Sequence, residues 1–181
     1  MPDLALFRGL TGRAGNPIGS IKEMLIAAYG SNKPGRPDTR KAAQDLGVSQ
    51  RTVQRWIAGE DRKQRNKPKA DSLSKVRIRA RQAATTKKGR KAAVQKAREN
   101  LSNRKAVQLS IYAMQGPKTG GKDYSRLRST SIQVSGDEVE AMFDAYERGG
   151  DKAVTQWLET QYSGSYVPDW GLADIRDMKL Q

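Results

Sequence analysis

The stretch Thr39-Arg-Lys-Ala-Ala-Gln-Asp-Leu-Gly-Val-Ser-Gln-Arg-Thr-Val-Gln-Arg-Trp-Ile57 carries the clearest structural signal in the chain. Small apolar residues recur on one side of a first helix, and Gly47 supplies the residue for a tight turn. Ser49 then stands where a side chain would cap a second helix. This spacing is typical of a helix-turn-helix motif. The residues that we expect to face its core are Ala42, Ala43, Leu46, Val48, Val53, Trp56 and Ile57.

A third helix precedes this motif. Ser20 and Glu23 have the spacing of a capping box, and apolar residues follow at helical intervals until Gly30 ends the pattern. With the two helices of the motif, it predicts a three-helix domain at 20–59. A polar loop containing Pro34, Gly35 and Pro37 separates it from the motif. The Gly-rich residues 1–19 predict a flexible arm, or one turn that docks on the rest of the chain.

The outward side of the second motif helix is polar and basic. In a helix-turn-helix this helix enters the major groove, where Arg reads guanine edges and Gln reads adenine edges through paired hydrogen bonds. The alternative is an ordinary helical hairpin whose polar face meets only water. On the first interpretation, the base-reading residues are Ser49, Gln50, Arg51, Gln54 and Arg55.

The charge is concentrated in the middle of the chain. The protein has 181 residues and a formal charge of +15, and residues 61–130 hold 21 basic and 4 acidic side chains. Such a block favours binding to nucleic acid, because each cation at a phosphate releases a counterion. A merely solvated basic surface is the alternative. The residues that we expect at the DNA backbone are Arg62, Lys63, Arg65, Lys67, Lys69, Arg77, Arg79, Arg81, Lys87, Lys88, Arg90 and Lys91.

We interpret 60–105 as a basic helical segment. Its Ala, Arg, Lys and Gln content favours helix, with an interruption near 85–89. Large apolar residues are few and basic residues surround the helices, so we expect no packed core here. The segment would then order along the phosphate backbone of DNA.

The last part of the chain, 106–181, predicts a small α+β domain with an acidic surface. Alternating residues indicate strands at 106–114 and 126–134, joined by a flexible loop at 116–122. A second capping box opens a helix that Gly149 and Gly150 end, another helix follows, and 172–180 completes the sheet as a last strand. The fold class is therefore α+β: a flexible arm, a helix-turn-helix domain, a basic helical linker and this unit.

Several kinds of chemistry are excluded by composition. The chain has no Cys and no His, so it cannot build a thiolate zinc site, a His-based metal site or a Ser-His-Asp triad. The loop at 116–122 lacks the residue order of a P-loop. Carboxylates at 137, 140, 144, 147 and 151 lie opposite the apolar side of their helix, where a solvated face is the default. We therefore expect no enzyme activity, no metal and no cofactor.

The order of these parts resembles a known family. The motif Ala-Ala-Gln-Asp-Leu-Gly-Val-Ser-Gln-Arg-Thr-Val-Gln-Arg (42–55) precedes an Arg/Lys/Ala-rich segment at 76–98. A strand and Gly-rich loop, a Met-Phe-Asp-Ala-Tyr-Glu-Arg-Gly helix (142–149) and a Tyr-x-x-Asp-x-Gly tail from Tyr166 follow. In this order and length, the chain resembles the telomere terminal proteins of linear actinobacterial chromosomes and plasmids, of the Streptomyces type.

The resemblance implies a specific role. Members of that family recognise telomeric DNA and offer a hydroxyl to which a DNA polymerase adds the first nucleotide, so that they stay joined to the 5′ end. The implied partners are DNA (duplex and also telomeric single strand), the polymerase and a telomere-associated protein. The family's acceptor region falls on 116–128, where Thr119 is the nearest hydroxyl and Tyr124 and Ser125 are alternatives.

Two other functions remain open at this point. One is a plasmid- or phage-encoded transcriptional regulator whose C-terminal unit forms a dimer. The other is a nucleoid or partition protein that binds DNA without sequence preference. A homodimer is one way to strengthen a lone helix-turn-helix, and contacts from the basic segment are another. No apolar run reaches the length of a membrane span, so we expect a cytoplasmic, nucleoid-associated protein without a membrane partner.

Overall fold

The computed structural model describes residues 3–58 and 66–181, and its fold class is α+β, as the sequence predicted. The chain divides into two compact units, which we call the helical unit (Arg13–Ala93) and the sheet unit (residues before Arg13 together with Val94–Gln181). The helices are α1 Leu4–Thr11, α2 Ile21–Tyr29, α3 Thr39–Leu46, α4 Gln50–Ala58, α5 Ala70–Thr85, α6 Lys87–Leu101 and α7 Gly136–Ser165. The strands are β1 Ser31–Lys33, β2 Arg36–Pro37, β3 Val107–Thr119, β4 Lys122–Asp123, β5 Arg126–Val134 and β6 Trp170–Leu180.

Local capping determines where the helices of the helical unit begin and end. Ser20 and Glu23 form both hydrogen bonds of a capping box at the start of α2. The Asp38 side chain accepts the Lys41 N–H at the start of α3, and Gly47 ends α3 in the left-handed conformation with φ of 68°. The Ser49 hydroxyl accepts the Thr52 N–H at 3.1 Å and so caps α4. The predicted start and end signals are confirmed.

The core of this unit forms where α2, α3 and α4 pack together. Leu25, Ala42 and Val53 are completely buried, and Trp56 is nearly so. Val48 and Ile57, which we expected inside, are half-buried. The short hairpin of β1 and β2 lies where the sequence predicted a polar loop.

Helix α5 packs against α2, contrary to the expectation that the basic segment has no packed core. Val76 and Ala80 are completely buried, and Ala83 and Ala84 follow on the same side. Alanine is short enough for two backbones to approach closely, so a buried face needs no large side chain. The break at Thr86, whose backbone is extended, lies where an interruption was predicted.

The sheet unit is built around the long strand β3. β5 pairs with it in antiparallel register from Val107↔Val134 to Gln115↔Arg126. β6 pairs on the other edge, from Leu109↔Leu180 to Pro117↔Trp170. Fully buried apolar residues of β3 and of α7 form one core, so the two predicted strands, the final strand and the second capping box are confirmed.

Two predicted loops are ordered elements. Residues 4–11 form α1, whose Leu6, Phe7 and Leu10 are buried, so the flexible arm predicted at 1–19 is wrong there, and the alternative of a turn that docks on the rest of the chain is closer to the structure. The Asp3 side chain caps this helix by accepting the Ala5 and Leu6 N–H groups at 2.9 and 3.0 Å. The segment 116–122 is a hairpin connection, as predicted, but the loop is shorter than predicted, because β3 runs to Thr119 and pairs with β4 around a two-residue turn.

The division into units differs from the predicted domains 20–59, 60–105 and 106–181. It falls inside α6, so that Val94 and Leu101 belong to the core of the sheet unit. Gly150 interrupts α7 with a φ of 65°, close to the predicted helix end. In the parts of the chain that the structure describes, no helix combines the length and the apolar character that crossing a membrane requires.

Candidate nucleic-acid interface

The outward face of α4 presents the five residues that the sequence assigned to base reading. Ser49, Gln50, Arg51, Gln54 and Arg55 are all exposed, whereas Val53 and Trp56 on the opposite side are buried. The helix is therefore held by its apolar side and leaves a continuous polar and basic face to solvent. Arg and Gln on such a face can form paired hydrogen bonds with base edges.

The first turn of α4 is tied to α3. Gln50 donates from its side-chain amide to the Thr39 hydroxyl at 2.9 Å, and the Ser49 and Thr52 hydroxyls lie 2.8 Å apart. Because Gln50 is already engaged, Arg51, Gln54 and Arg55 are better placed than Gln50 to reach a ligand. The exposure of this face was predictable from helical periodicity, but the Gln50 contact was not.

The β1–β2 hairpin adds a basic tip that sequence reasoning missed. Lys33 and Arg36 flank the turn at Pro34 and Gly35, and all four residues are exposed. The hairpin ends directly before the cap of α3, where the Asp38 N–H donates to the Gly30 carbonyl at 2.9 Å. A Pro-Gly pair is a strong turn signal and could have indicated this element.

The basic residues of α5 and α6 fall into several groups. Arg77 and Arg81 share one exposed face of α5, and Lys87 and Lys91 share one of α6, since residues four apart are neighbours on a helix. Lys67, Lys69 and Lys88 are also exposed. Arg62, Lys63 and Arg65 lie outside the described residues.

Arg90 does not belong to this surface. Only 8% of the residue is exposed, and its guanidinium donates to the Thr85 carbonyl at 2.8 Å. A buried guanidinium cannot reach a phosphate, so its assignment to the DNA backbone is wrong. It instead stabilises the break between α5 and α6.

Arg79 has a partner in its own unit. Its guanidinium binds both carboxylate oxygens of Asp45, at 2.9 and 3.2 Å, and the Tyr29 hydroxyl donates to the same carboxylate at 2.8 Å. Burial of the phenol, together with its bond to Asp45, raises the pKa of Tyr29 above its ordinary range. The cluster joins α2, α3 and α5, and its Asp45 carboxylate offsets the charge of Arg79.

The three candidate acceptor hydroxyls lie around the tip of the β3–β4 hairpin. Thr119 pairs with Lys122 across the turn at Gly120 and Gly121, both of which have positive φ, and its side chain is exposed. Positive φ at both turn positions fits the tight turn of a two-residue hairpin.

Tyr124 and Ser125 follow at the base of this tip. Tyr124 is exposed, and Ser125 is half-buried. Hydrogen bonds from the hydroxyl and the backbone N–H of Ser125 lower the pKa of Asp123. The Ser125 backbone N–H donates to the Asp123 carboxylate at 2.8 Å, and Thr119 and Tyr124 are the more exposed side chains of the three.

The carboxylates of α7 match the predicted acidic surface in part. Glu140, Asp144 and Glu147 surround the Arg98 guanidinium at 3.2, 2.8 and 3.2 Å. Glu147 is nearly buried, whereas Asp144 and Asp137 are exposed, so the face is solvated as predicted except around Glu147 and Arg98. Among the residues that the structure describes, no group of three or more acidic side chains is arranged to hold a metal ion.

Comparisons with known proteins give no relative from which a function could be transferred. A scan against protein-family models, a search of curated proteins and a search of solved structures each found no match. Any statement about the role of this chain therefore depends on its own residues.

Proposed function

We propose that this chain is a duplex DNA-binding protein in which α3 and α4 act as a helix-turn-helix. The observation that carries this proposal is the exposure of Ser49, Arg51, Gln54 and Arg55 on a helix whose Val53 and Trp56 are buried. The exposed cations of α5 and α6 add sequence-independent attraction for phosphate.

We further propose that the protein primes replication at the ends of a linear replicon, as its resemblance to the telomere terminal proteins implies. The exposed Thr119 at a hairpin tip with Lys118 and Lys122 beside it supports this role. Its hydroxyl would attack the α-phosphate of a deoxynucleoside triphosphate, forming a phosphodiester-type P–O bond as pyrophosphate leaves. A DNA polymerase would supply the metal ions and accept the hydroxyl proton, and a telomere-associated protein would assist.

The DNA-binding proposal is tested with substitutions on α4. Arg51→Ala with Gln54→Ala removes two base-reading side chains and should weaken binding to the cognate duplex by about 10-fold or more. Arg148→Ala with Lys152→Ala removes two exposed cations from α7 and serves as the control. Equal losses in both variants, measured by fluorescence anisotropy at one salt concentration, would show that α4 reads no bases.

The priming proposal is tested by labelling with a radioactive nucleotide and the host polymerase fraction. Thr119→Ala should abolish the label without changing duplex affinity, whereas Ser129→Ala, which removes another exposed hydroxyl, should keep it. Label that persists in Thr119→Ala would move the acceptor to Tyr124 or Ser125. Absence of label in every variant, with duplex binding intact, would favour a transcriptional regulator.

A further inference from the structure

The sheet unit has exposed tyrosines. Tyr124 and Tyr166 have 53% and 46% of their surface exposed; Tyr124 directly follows β4 of the hairpin tip, and Tyr166 directly follows α7. Val167, which follows Tyr166, is 42% exposed. Exposed aromatic rings that are also fixed in place commonly mark binding sites.

Tyr166 is fixed although it is exposed. Its ring stacks on Trp170 at 5.1 Å between centroids and on Tyr162 at 5.8 Å, and its hydroxyl donates to the Ser131 carbonyl at 2.9 Å. Trp170 is anchored in turn, because its indole N–H donates to the buried Gln115 side chain at 3.3 Å. The ring of Tyr166 is therefore a rigid platform that needs little ordering on binding.

Arg128 connects the two tyrosines. Its guanidinium carbon lies 5.5 Å from the centre of the Trp170 ring, and its Nη2 donates to the Tyr124 carbonyl at 3.4 Å. The Tyr124 N–H donates to the carbonyl of Pro117, which pairs with Trp170 across the sheet. Tyr124, through its backbone, and Tyr166, through its ring, thus each contact one member of an Arg–Trp pair, and we call these four residues the tyrosine patch.

Positive charge surrounds the tyrosine patch. Residues 115–128 contain Lys118, Lys122, Arg126 and Arg128 against one acidic residue, Asp123. The Lys118 side chain runs across Gly171, where a β-carbon would lie 2.4 Å from its Cε. Because Gly171 has no side chain, the Lys118 side chain has room to lie beside the tyrosine patch.

We propose that the tyrosine patch binds unpaired nucleotides of single-stranded DNA, with bases stacked on Tyr124 and Tyr166 and phosphates near Lys118 and Lys122. Fixed aromatic rings within a basic surface are what single-strand binding sites use, because an unpaired base offers a free face and a paired base does not. This inference rests on the proposed function for its biological role, because the bound single strand would lie next to Thr119, the proposed acceptor. The binding itself is independent of α4.

The experiment compares a fluorescent twelve-residue thymidine oligonucleotide with an abasic oligonucleotide of equal length. Tyr166→Leu and Tyr124→Leu should each lower the affinity for the thymidine strand about fivefold or more and leave abasic binding nearly unchanged. The matched control is Tyr112→Leu, which removes a tyrosine that is 39% exposed on β3 outside the patch. Tyr124→Phe keeps the ring and should restore binding.

Two results would overturn the proposal. One is that the patch variants bind the thymidine strand as tightly as Tyr112→Leu does. The other is an equal loss on both oligonucleotides, which would mean that phosphate contacts alone were affected. Circular dichroism verifies folding, and Tyr124→Leu keeps the test valid if Tyr166→Leu loosens the stack.

The α4 variant separates this proposal from the proposed function. Arg51→Ala with Gln54→Ala should lose cognate duplex binding and retain thymidine-strand binding. If the wild-type protein binds no duplex selectively but still shows the tyrosine-dependent preference, the patch stands and the helix-turn-helix proposal fails. If duplex is selected and the preference is missing, the patch alone fails.

Discussion

The core of the sheet unit and the packed face of α5 show two ways to bury a helix. In the sheet unit α7 contributes Met142, Phe143 and Tyr146, all completely buried against β3 and its neighbours. In the helical unit α5 contributes Val76 and three alanines to its contact with α2. Because stabilisation scales roughly with the apolar area removed from water, most of the hydrophobic stabilisation resides in the sheet unit.

The arginines of the two units also differ in their exposure and in their ion-pair partners. Arg98 in the sheet unit is 23% exposed in its side chain and is surrounded by three carboxylates. Arg79 in the helical unit is half exposed and has Asp45 as its ion-pair partner. A lightly packed helix can therefore keep a basic surface, since its small buried face leaves most of its circumference to solvent. The comparison suggests that the sheet unit is the stable scaffold and the helical unit the charged surface.

The largest effect should come from truncating the core of the sheet unit. Phe143→Ala removes a fully buried ring and leaves a cavity, and we expect it to lower the free energy of unfolding of this unit by about 4 kcal/mol. Urea unfolding followed by tryptophan fluorescence measures this, since Trp157 and Trp170 belong to the sheet unit. A loss below about 1 kcal/mol would contradict the assignment of most stability to this core.

Removal of Arg98 should have the next effect in size. Arg98→Ala leaves Glu140, Asp144 and Glu147 without their shared cation and also removes a guanidinium that lies 5.7 Å from the Phe143 ring centre. Because Glu147 is nearly buried whereas Glu140 and Asp144 are about half exposed to solvent, this loss should cost about 2 kcal/mol of unfolding free energy. Arg98→Lys keeps the positive charge and should lower the unfolding free energy by less than Arg98→Ala does. Equal losses in the two variants would show that the shape of the guanidinium, rather than its charge, stabilises the cluster.

Alkaline pH tests burial in the sheet unit by a different route. Burial raises the pKa of Tyr162 to about 12. Because the unfolded chain releases this proton near its ordinary pKa of about 10, the contribution of Tyr162 to stability is complete below pH 10 and falls as the pH rises toward 12. At about 1.4 kcal/mol per pKa unit, the total loss is about 2 to 3 kcal/mol. Tyr162→Phe should make the fall of the unfolding free energy across this interval less steep, and a slope unchanged from wild type would argue against burial of the hydroxyl.

Some features of the fold could be predicted from the sequence, and others could not. Both capping boxes, at Ser20 and Ser135, were readable because a cap depends on residues three apart. The sequence predicted no more than one docking turn for α1, because its apolar residues lie among glycines and its burial depends on β6, which is far away in the chain. The packed face of α5 was missed because alanine gives no strong apolar signal.

The candidate site could also be predicted only where local sequence spacing determines the structure. The exposed face of α4 follows from helical periodicity, whereas the burial of Arg90 and the contacts of Asp45 depend on how separate helices meet. The patch formed by Tyr124 and Tyr166 also unites distant parts of the chain. No spacing rule connects these two residues before β3, β5 and β6 are paired.

The smallest effect on stability should come from Asp45→Ala. Both Asp45 and Arg79 are partly exposed, so loss of the pair should cost less than about 1 kcal/mol of unfolding free energy. The same change releases the Arg79 guanidinium for phosphate. Affinity for non-specific duplex should therefore rise at low salt, and the slope of log affinity against log salt should steepen by up to about one unit.

Asp71→Ala is the matched control, because it removes one exposed carboxylate from the start of α5 and leaves the Asp45–Arg79 pair intact. If only the overall charge matters, both variants should gain affinity equally and keep the wild-type salt slope. If Arg79 itself reaches the backbone once it is released, only Asp45→Ala should steepen the slope. The second outcome would show that an ion pair within the helical unit keeps Arg79 from binding phosphate. Arg98 of the sheet unit, with three carboxylates around it, cannot be released in the same way.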